Sequence, residues 1–324
     1  MRKLAIACAA SLLAYGLAFG LVLDRPLALG FLQQQIDAKL ARAASVTGPK
    51  LVILAGSNGP YSHRCQVIEA MLAMPCVNGG IAVGIGLDYL FARWRTQLHP
   101  GDVVYLPMEE EQYTRTQSAT ELEPDAEIMF RHDWRTLATL PARRWLAALF
   151  SFDLRTALMS PIETALLATR FHDPRAEVTG TSNAWGDHIG HTATLAEASR
   201  RIVANATLNH ASAQEIEDGY GTGLIAGFIR WANAHGVRVI GGPPTEPSDA
   251  PIPPATEAAI HAVYQLNGAS FLDLPNQARY PRIAFFDTVG HLNETWQIRH
   301  SALVAKALGH LLQRAVMPDD DCPK

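Results

Sequence analysis

Residues 51–76 read LVILAGSNGPYSHRCQVIEAMLAMPC, and the fold follows from how that stretch divides. Leu51-Val52-Ile53-Leu54 is a short continuous apolar run, the pattern of a strand buried on both faces. Ala55-Gly56-Ser57-Asn58-Gly59 is a turn of small residues. Cys65, Ile68 and Leu72 then recur at helical spacing, with Met71 beside them and Ser62 placed to cap the helix. Strand, tight turn and helix in this order begin a crossover unit. Where such strands lie parallel, ligands bind outside their carboxyl ends. Ser57 stands at that end of the first strand. Two readings of it stay open here: a loop serine that caps the following helix, or a serine placed for chemistry.

The unit repeats. Pro75-Cys76-Val77 reads as a second strand ending at Asn78-Gly79-Gly80, and residues 81–98 as a helix with Leu87, Leu90, Phe91 and Trp94 buried. After the turn His99-Pro100-Gly101-Asp102 comes a third strand, Val103-Val104-Tyr105-Leu106. From about residue 109 to 213 no buried strand is evident. Helical patterns over 125–140, 142–150 and 161–170, with Phe130, Trp134, Trp145, Phe150, Phe152 and Phe171, predict a helical insertion over one end of the sheet. A plain extension of the core and a substrate lid or membrane-facing surface are both open readings of it. The rhythm then returns: a helix bearing Leu224, Phe228 and Trp231, a strand over 237–240, a helix over 255–266, a strand over 270–272 and a last helix over 294–313. Strands alternating with helices predict an α/β fold wound around a parallel sheet.

The 324 residues carry a net charge of −4, with 48% hydrophobic and 18% charged residues. This is a globular balance with no electrostatic case for nucleic acid. Arg2 and Lys3 precede an uncharged run over residues 4–23. A helix of that length rises about 30 Å, a bilayer core, so the run predicts an anchor in the inner membrane with the body in the periplasm. The alternative is a cleaved signal that releases the body there. Residues 24–50 predict a connecting helix with Phe31, Ile36 and Leu40 on one face, broken at Thr47-Gly48-Pro49; residues 315–324 form a polar tail. Of the four cysteines, Cys65 and Cys76 flank the first helix of the body. They pair in an oxidising compartment or remain as two core thiols. There is no C-x-x-C, hence no zinc-ribbon or thioredoxin-like motif.

The loop Phe286-Asp287-Thr288-Val289-Gly290-His291-Leu292-Asn293 holds an acid and a histidine four residues apart, before the last helix. A serine is a poor nucleophile until a base takes its proton, and histidine does so best near neutral pH. An acid behind the histidine fixes its tautomer, and Asn293 can cap the helix and stiffen the loop. Other constellations are weaker. Asp187-His188-Ile189-Gly190-His191 has metal-like residue types, but its glycine argues for a loop near the substrate, so no metal is expected. Trp185 can stack on a sugar or pack in the core; Glu109-Glu110-Glu111 can bind a hydroxyl or form a solvated turn. His63 is either a rival base or, more commonly for a helix-start histidine, solvent-facing. Gly219-Tyr220-Gly221-Thr222-Gly223 follows no strand and is no nucleotide loop, so no cofactor is expected.

A serine after the first strand, small residues after the second and an acid–histidine loop before the last helix resemble the SGNH (GDSL-like) hydrolase family. The resemblance covers roughly residues 51–106 and 237–312. LAGSN (54–58), VNGGIAVGIGLDYL (77–90), HPGDVVYLPMEEEQY (99–113) and FFDTVGHLNETW (285–296) look most like its membrane-anchored branch found with exopolysaccharide acylation, in alginate, teichoic-acid and cellulose systems. It implies a three-layer α/β/α, flavodoxin-like sheet and an esterase or O-acyltransferase acting on a polysaccharide or acylated carbohydrate, beside a membrane-bound acyltransferase or synthase. It also implies Ser57 as nucleophile, His291 as base, and Asp287 as acid, although Asp287 stands one residue beyond the usual spacing and Thr288 fills that place. The oxyanion donors would be the N–H groups of Ser57 and Gly80, or Gly79, with Asn78 orienting their loop. The family's G-x-N-D after strand three is Pro107-Met108-Glu109-Glu110 here; Asn58 and Asn183 are candidates for the missing amide. That departure motivates a second reading, a weakly active or inactive scaffold that binds glycan or a synthase partner.

Overall fold

In the computed structural model, which describes residues 2–22, 27–82, 84–122, 128–129, 133–149 and 182–317, the opening apolar run is strand β1 (Leu51–Ile53). The strands β2 (Cys76–Asn78), β3 (Val103–Leu106), β4 (Arg238–Gly241), β5 (Glu246–Pro247), β6 (Ser270–Phe271) and β7 (Arg279–Tyr280) follow. Five of them form one sheet in the order β2-β1-β3-β4-β6, with every pairing parallel. β5 and β7 make a separate two-stranded parallel ribbon, which the sequence pattern does not reveal. The winding reverses between β1 and β3, so the crevice beyond their carboxyl ends is where this topology places a ligand.

Helices cover both faces. Among the described residues the principal ones are α1 (Arg2–Val22), α2 (Leu27–Ser45), α3 (Asn58–Ser62), α4 (Cys65–Leu72), α5 (Leu87–Arg95), α6 (Glu110–Thr114), α7 (Tyr220–Ala234), α8 (Pro254–Gln265) and α9 (Glu294–Leu312). Alternate residues of a strand face opposite ways. Leu51 and Ile53 accordingly join Ile68, Met71 and Leu72 of α4 and Val304, Ala305 and Leu308 of α9 in one core cluster. On the other side Phe91 of α5 stacks on Phe228 of α7 with ring centroids 4.2 Å apart. Burial on both faces is why β1 and β3 read as unbroken apolar runs. At the amino ends of β1 and β3, Lys50 and Asp102 form a buried ion pair at 2.7 Å, each 1% exposed. The same carboxylate accepts the Lys50 and His99 N–H groups, which leaves neither charge unsatisfied.

Several boundaries differ from the sequence reading for identifiable reasons. Helix α5 starts only at Leu87, because Gly84 and Gly86 interrupt the expected first turns. Strand β4 starts at Arg238, because the Val237 N–H closes α7 on the Ala232 carbonyl. Ser62 does not cap α4 and its cap position is Arg64, with no side-chain bond. Residues 35–120 and 181–324 form the α/β unit, so the flanks of the expected insertion, 109–120 and 181–213, belong to it. Residues 1–34 and 121–180 form a second unit. In it Trp134 and Trp145 are exposed, and Arg143 pairs with Glu121 at 2.8 Å. Phe130, Phe150, Phe152, Phe171 and the expected helix over 161–170 lie outside the described residues, as does the tail from residue 318.

The expected inner-membrane anchor over residues 4–23, and the periplasmic placement built on it, are corrected. Among the described residues no helix is long and apolar enough to cross a membrane. Helix α1 opens on the two charged residues Arg2 and Lys3.

Cys65, at the start of α4, is disulfide-bonded to Cys76, at the start of β2. The bond closes α4 and its turn into a covalent ring. Replacing both cysteines by serine is expected to cost about 2–3 kcal/mol of stability, read as a lower urea midpoint with a slope equal to or slightly above that of the native chain, since the released loop expands the unfolded state.

Candidate active site

Ser57 is the first residue after the β1 turn and sits at the N-terminal cap of α3 with helical backbone angles, φ −66° and ψ −22°. Its side chain caps nothing; instead its hydroxyl lies 2.7 Å from His291 Nε2. His291 Nδ1 lies 2.6 Å from Asp287 Oδ1. The carboxylate can only accept, so it holds the proton on Nδ1 and leaves the Nε2 lone pair facing the serine O–H. Burial works to raise the Asp287 carboxyl, but the hydrogen bond and charge of His291, with the Asp287 and Thr288 N–H groups, hold it below its usual value. Thr288 faces away from this line: its Oγ1 accepts the Gly290 N–H at 3.3 Å.

The loop that carries Asp287 and His291 is braced along its length. Phe285 and Leu292 form an antiparallel bridge, and the Phe286 N–H donates to the His291 carbonyl at 2.7 Å. Asn293 caps α9 through the Trp296 N–H and donates to Ile283 O. The hydroxyls of Ser62 and Thr245, 2.7 Å apart, both lie 3.0 Å from the Gly290 carbonyl. Ser62, read from the sequence as a helix cap, is thus a clamp on the histidine loop.

The turn after β2 approaches the serine from the other side. A Cβ on Gly80 would lie 2.8 Å from Gly56 O and 2.9 Å from Gly59 Cα, so only glycine fits against the Ser57 turn. The Gly80 N–H makes a long 3.3 Å contact to Asn78 Oδ1. The Gly79 N–H is spent on Ile53 O at 2.8 Å, which removes it as an oxyanion donor. Asn78 is fully buried, and its Nδ2 lies within 3.0 Å of Gly59 O, His63 O and Asp187 Oδ1. Asp187 also accepts the Cys65 and Gln66 N–H groups, which caps α4 from a distant part of the chain. Beneath them Lys39 of α2, 3% exposed, donates to Asn78 O at 2.9 Å and Gly186 O at 2.6 Å. Burial pushes Lys39 down to about 7 against the opposing charge of Asp187, and pushes Asp187 up against its four donors.

The other residues singled out in the sequence divide. Glu109 lies beside the triad: a Cβ on Gly290 would come 2.8 Å from its Oε1. Burial, opposed by His291, raises its carboxyl to about 7. Asn58 is fully buried and donates to Pro107 O at 2.7 Å, bracing the β3 turn rather than offering an amide to the site. Asn183 closes its own turn onto Trp185 and Asp187. Trp185 donates to Glu69 at 2.9 Å and packs on the core, so it is no exposed sugar platform. His63 is neither solvent-facing nor a base for Ser57. Both it and His300 are fully buried, their Nε2 atoms 3.2 Å apart, in a chain from Asn58 O through His63 and His300 to the Tyr280 hydroxyl. Glu110, His210 and Glu246 each place a ligand atom within 4.8 Å of the others. Each is already partnered: Glu110 holds His210 and the Ala211 N–H, and Glu246 pairs with Arg279. The Asp187 cap, the Lys39 brace and the Ser62–Thr245 clamp leave no local pattern, since their partners are 39 to 183 positions apart.

No protein-family model matches the chain, and a search of curated proteins returns no match.

The His63–His300 contact holds one proton between two nitrogens, which excludes both rings being charged at once, and burial disfavours a charge on either. Burial keeps His63 down at about 4, and burial with His63 nearby keeps His300 well below its usual value. A base depressed on folding contributes stability that is complete above its unfolded value of 6.5 and lost as pH falls toward about 4. Glu109 and Asp187, raised by burial, act in the opposite sense. The double variant His63→Gln, His300→Gln isolates the pair. Its unfolding free energy, measured by urea from pH 7 to 4, is expected to fall less steeply than that of the native chain.

Proposed function

We propose that the chain is a serine esterase or O-acyltransferase of the SGNH type, acting on acyl groups, acetyl first, carried by a polysaccharide. The single observation that supports it is the unbroken line Asp287 Oδ1–His291 Nδ1 at 2.6 Å and His291 Nε2–Ser57 Oγ at 2.7 Å, across the carboxyl end of a parallel sheet. The strand order, with the site at the β1–β3 switch point, is that of a flavodoxin-like sheet. The glycan half of the reading rests on the resemblance of the site loops to the exopolysaccharide-acylating branch.

In this reading Ser57 Oγ attacks the acyl carbonyl carbon while His291 Nε2 takes its proton, and Asp287 stabilises the imidazolium through Nδ1. Negative charge forms on the carbonyl oxygen. In this reading its donors are the N–H of Ser57, at the start of α3 where N–H groups have no intrahelical acceptor, and that of Gly80, whose contact to Asn78 Oδ1 is long at 3.3 Å. The bond to the sugar oxygen breaks as His291 returns the proton to that oxygen, leaving acyl-Ser57. Water or a second sugar hydroxyl then gives its proton to His291 and attacks the acyl carbon, and the Ser57–acyl bond breaks as His291 passes that proton to Ser57 Oγ, releasing free acid or a new ester and the resting serine.

One observation favours a second reading, a scaffold that binds glycan or a synthase partner without turnover. Asn58 and Asn183 are both committed elsewhere, so neither of these two candidates supplies a side-chain amide in place of the family's third block. Hydrolysis of a chromogenic acetyl ester decides between them. Ser57→Ala and His291→Ala are each expected to lower kcat at least about 10^3-fold, and Asp287→Asn by about 10^3 to 10^4. Activity unchanged in Ser57→Ala or His291→Ala removes the site; no turnover by the native chain, with retained binding of acetylated glycan, establishes the scaffold.

A further inference from the structure

The triad leaves unexplained a run of aromatic rings packed behind His291. Tyr61 lies one helical turn after Ser57, its N–H donating to the Ser57 carbonyl at 3.2 Å, so ring and nucleophile share one side of α3. The Tyr61 ring lies flat on His291, centroids 4.1 Å apart and planes 8° from parallel. Its other face meets His188 at 4.2 Å and 31°. His191 meets it edge-on at 5.3 Å, and Phe286 stands 6.2 Å away in a near-parallel plane. His188 and His191 are 5% and 1% exposed, so the Tyr61 ring is backed by packed side chains.

Resting on the triad reading above, we propose that Tyr61 is a positioning residue for His291: its ring fixes the imidazole plane between Asp287 and Ser57 and stabilises the imidazolium that forms during acyl transfer. An aromatic face is the negative end of a quadrupole and attracts a cation more than a neutral ring. The contact therefore strengthens as His291 takes the serine proton, which lowers the barrier rather than merely binding the resting state. The groups facing His291 are the Asp287 carboxylate, the Ser57 hydroxyl, the Glu109 carboxyl and the Tyr61 ring, with His188 beyond Tyr61. Burial, then the proximity of His291, keeps His188 down at about 4, so at neutral pH it does not compete for the ring. Burial and the Asp287 charge push the Tyr61 phenol up to about 12, so the ring stays neutral.

The test is the NMR titration of the His291 ring in the full chain, assigned by difference with His291→Ala, alongside ester kinetics. Tyr61→Phe keeps the ring; the His291 midpoint is expected within about 0.2 pH unit of native and kcat within about twofold. Tyr61→Leu removes it; the midpoint is expected to fall by about half a pH unit and kcat by about tenfold, with KM changed less. Phenylalanine at position 61 with increasing ring fluorination keeps the shape and drains the π face, so the midpoint should fall stepwise even where Tyr61→Leu does not fold. An unchanged or raised midpoint in Tyr61→Leu or across the fluorinated series overturns the proposal, as does a loss in Tyr61→Phe equal to that in Tyr61→Leu. The titration needs no turnover. A native chain inactive on esters therefore overturns the triad reading alone, while the midpoint still decides on the stack.

Discussion

A carboxylate withdrawn from water must find donors, and Asp187 finds four: the Cys65 and Gln66 N–H groups and the side-chain amides of Asn78 and Asn183. Losing them would strand a buried charge, which costs several kcal/mol. The requirement ties the start of α4, the end of β2 and the loop at 183–187 to one point. Lys39 repeats the logic with opposite sign, binding two carbonyls of the same junction. Around this junction the Asn78-Gly79-Gly80 turn has little room to move, and the Gly80 backbone packs against the Ser57 turn within van der Waals distance.

The candidate site thus has two rims with different fastenings. The β2 side is held by buried charge and amide hydrogen bonds. The His291 side is held by neutral groups: the Phe285–Leu292 bridge, the two hydroxyls on Gly290 O and the Asn293 cap. Ser57 sits between them on a strand-to-helix turn, the least adjustable place in an α/β unit. A line of hydrogen bonds as short as Asp287–His291–Ser57 requires its supports to be rigid, and here the support outnumbers the reacting groups.

The α/β alternation was legible because parallel strands buried on both faces leave continuous apolar runs, and residues 51–54 and 103–106 show them; 237–240 shows the same pattern interrupted by the exposed Arg238. Ser57, Asp287 and His291 were legible because turn residues at strand ends carry few packing constraints. What stayed hidden has a common cause. His63 sits next to a helix start, where histidine commonly faces water, but its partner His300 is 237 positions away. Asp187 looked like half of a metal motif, and only the folded chain shows two helix N–H groups in front of it. For Trp185, sugar platform and core packing are both open on residue type, and Asn58 and Asn183 are candidates for the missing amide only through the family resemblance; each is consumed by a structural hydrogen bond that no local pattern announces.

The pairing of β3 with β4 joins Val104 to Val239, and His291 meets Ser57 across 234 positions. Contacts of such separation must overcome a large loop-closure entropy before any reward appears, which makes folding slow. β1, β2 and the disulfide between α4 and β2 are local by comparison, so the amino-terminal half of the sheet can gather first. The histidine loop, which closes on Ser57 over the longest of these separations, thus carries the largest closure cost, and the β3 edge is the part of the sheet whose pairing depends on a distant segment, the kind of edge that invites association between unfinished chains.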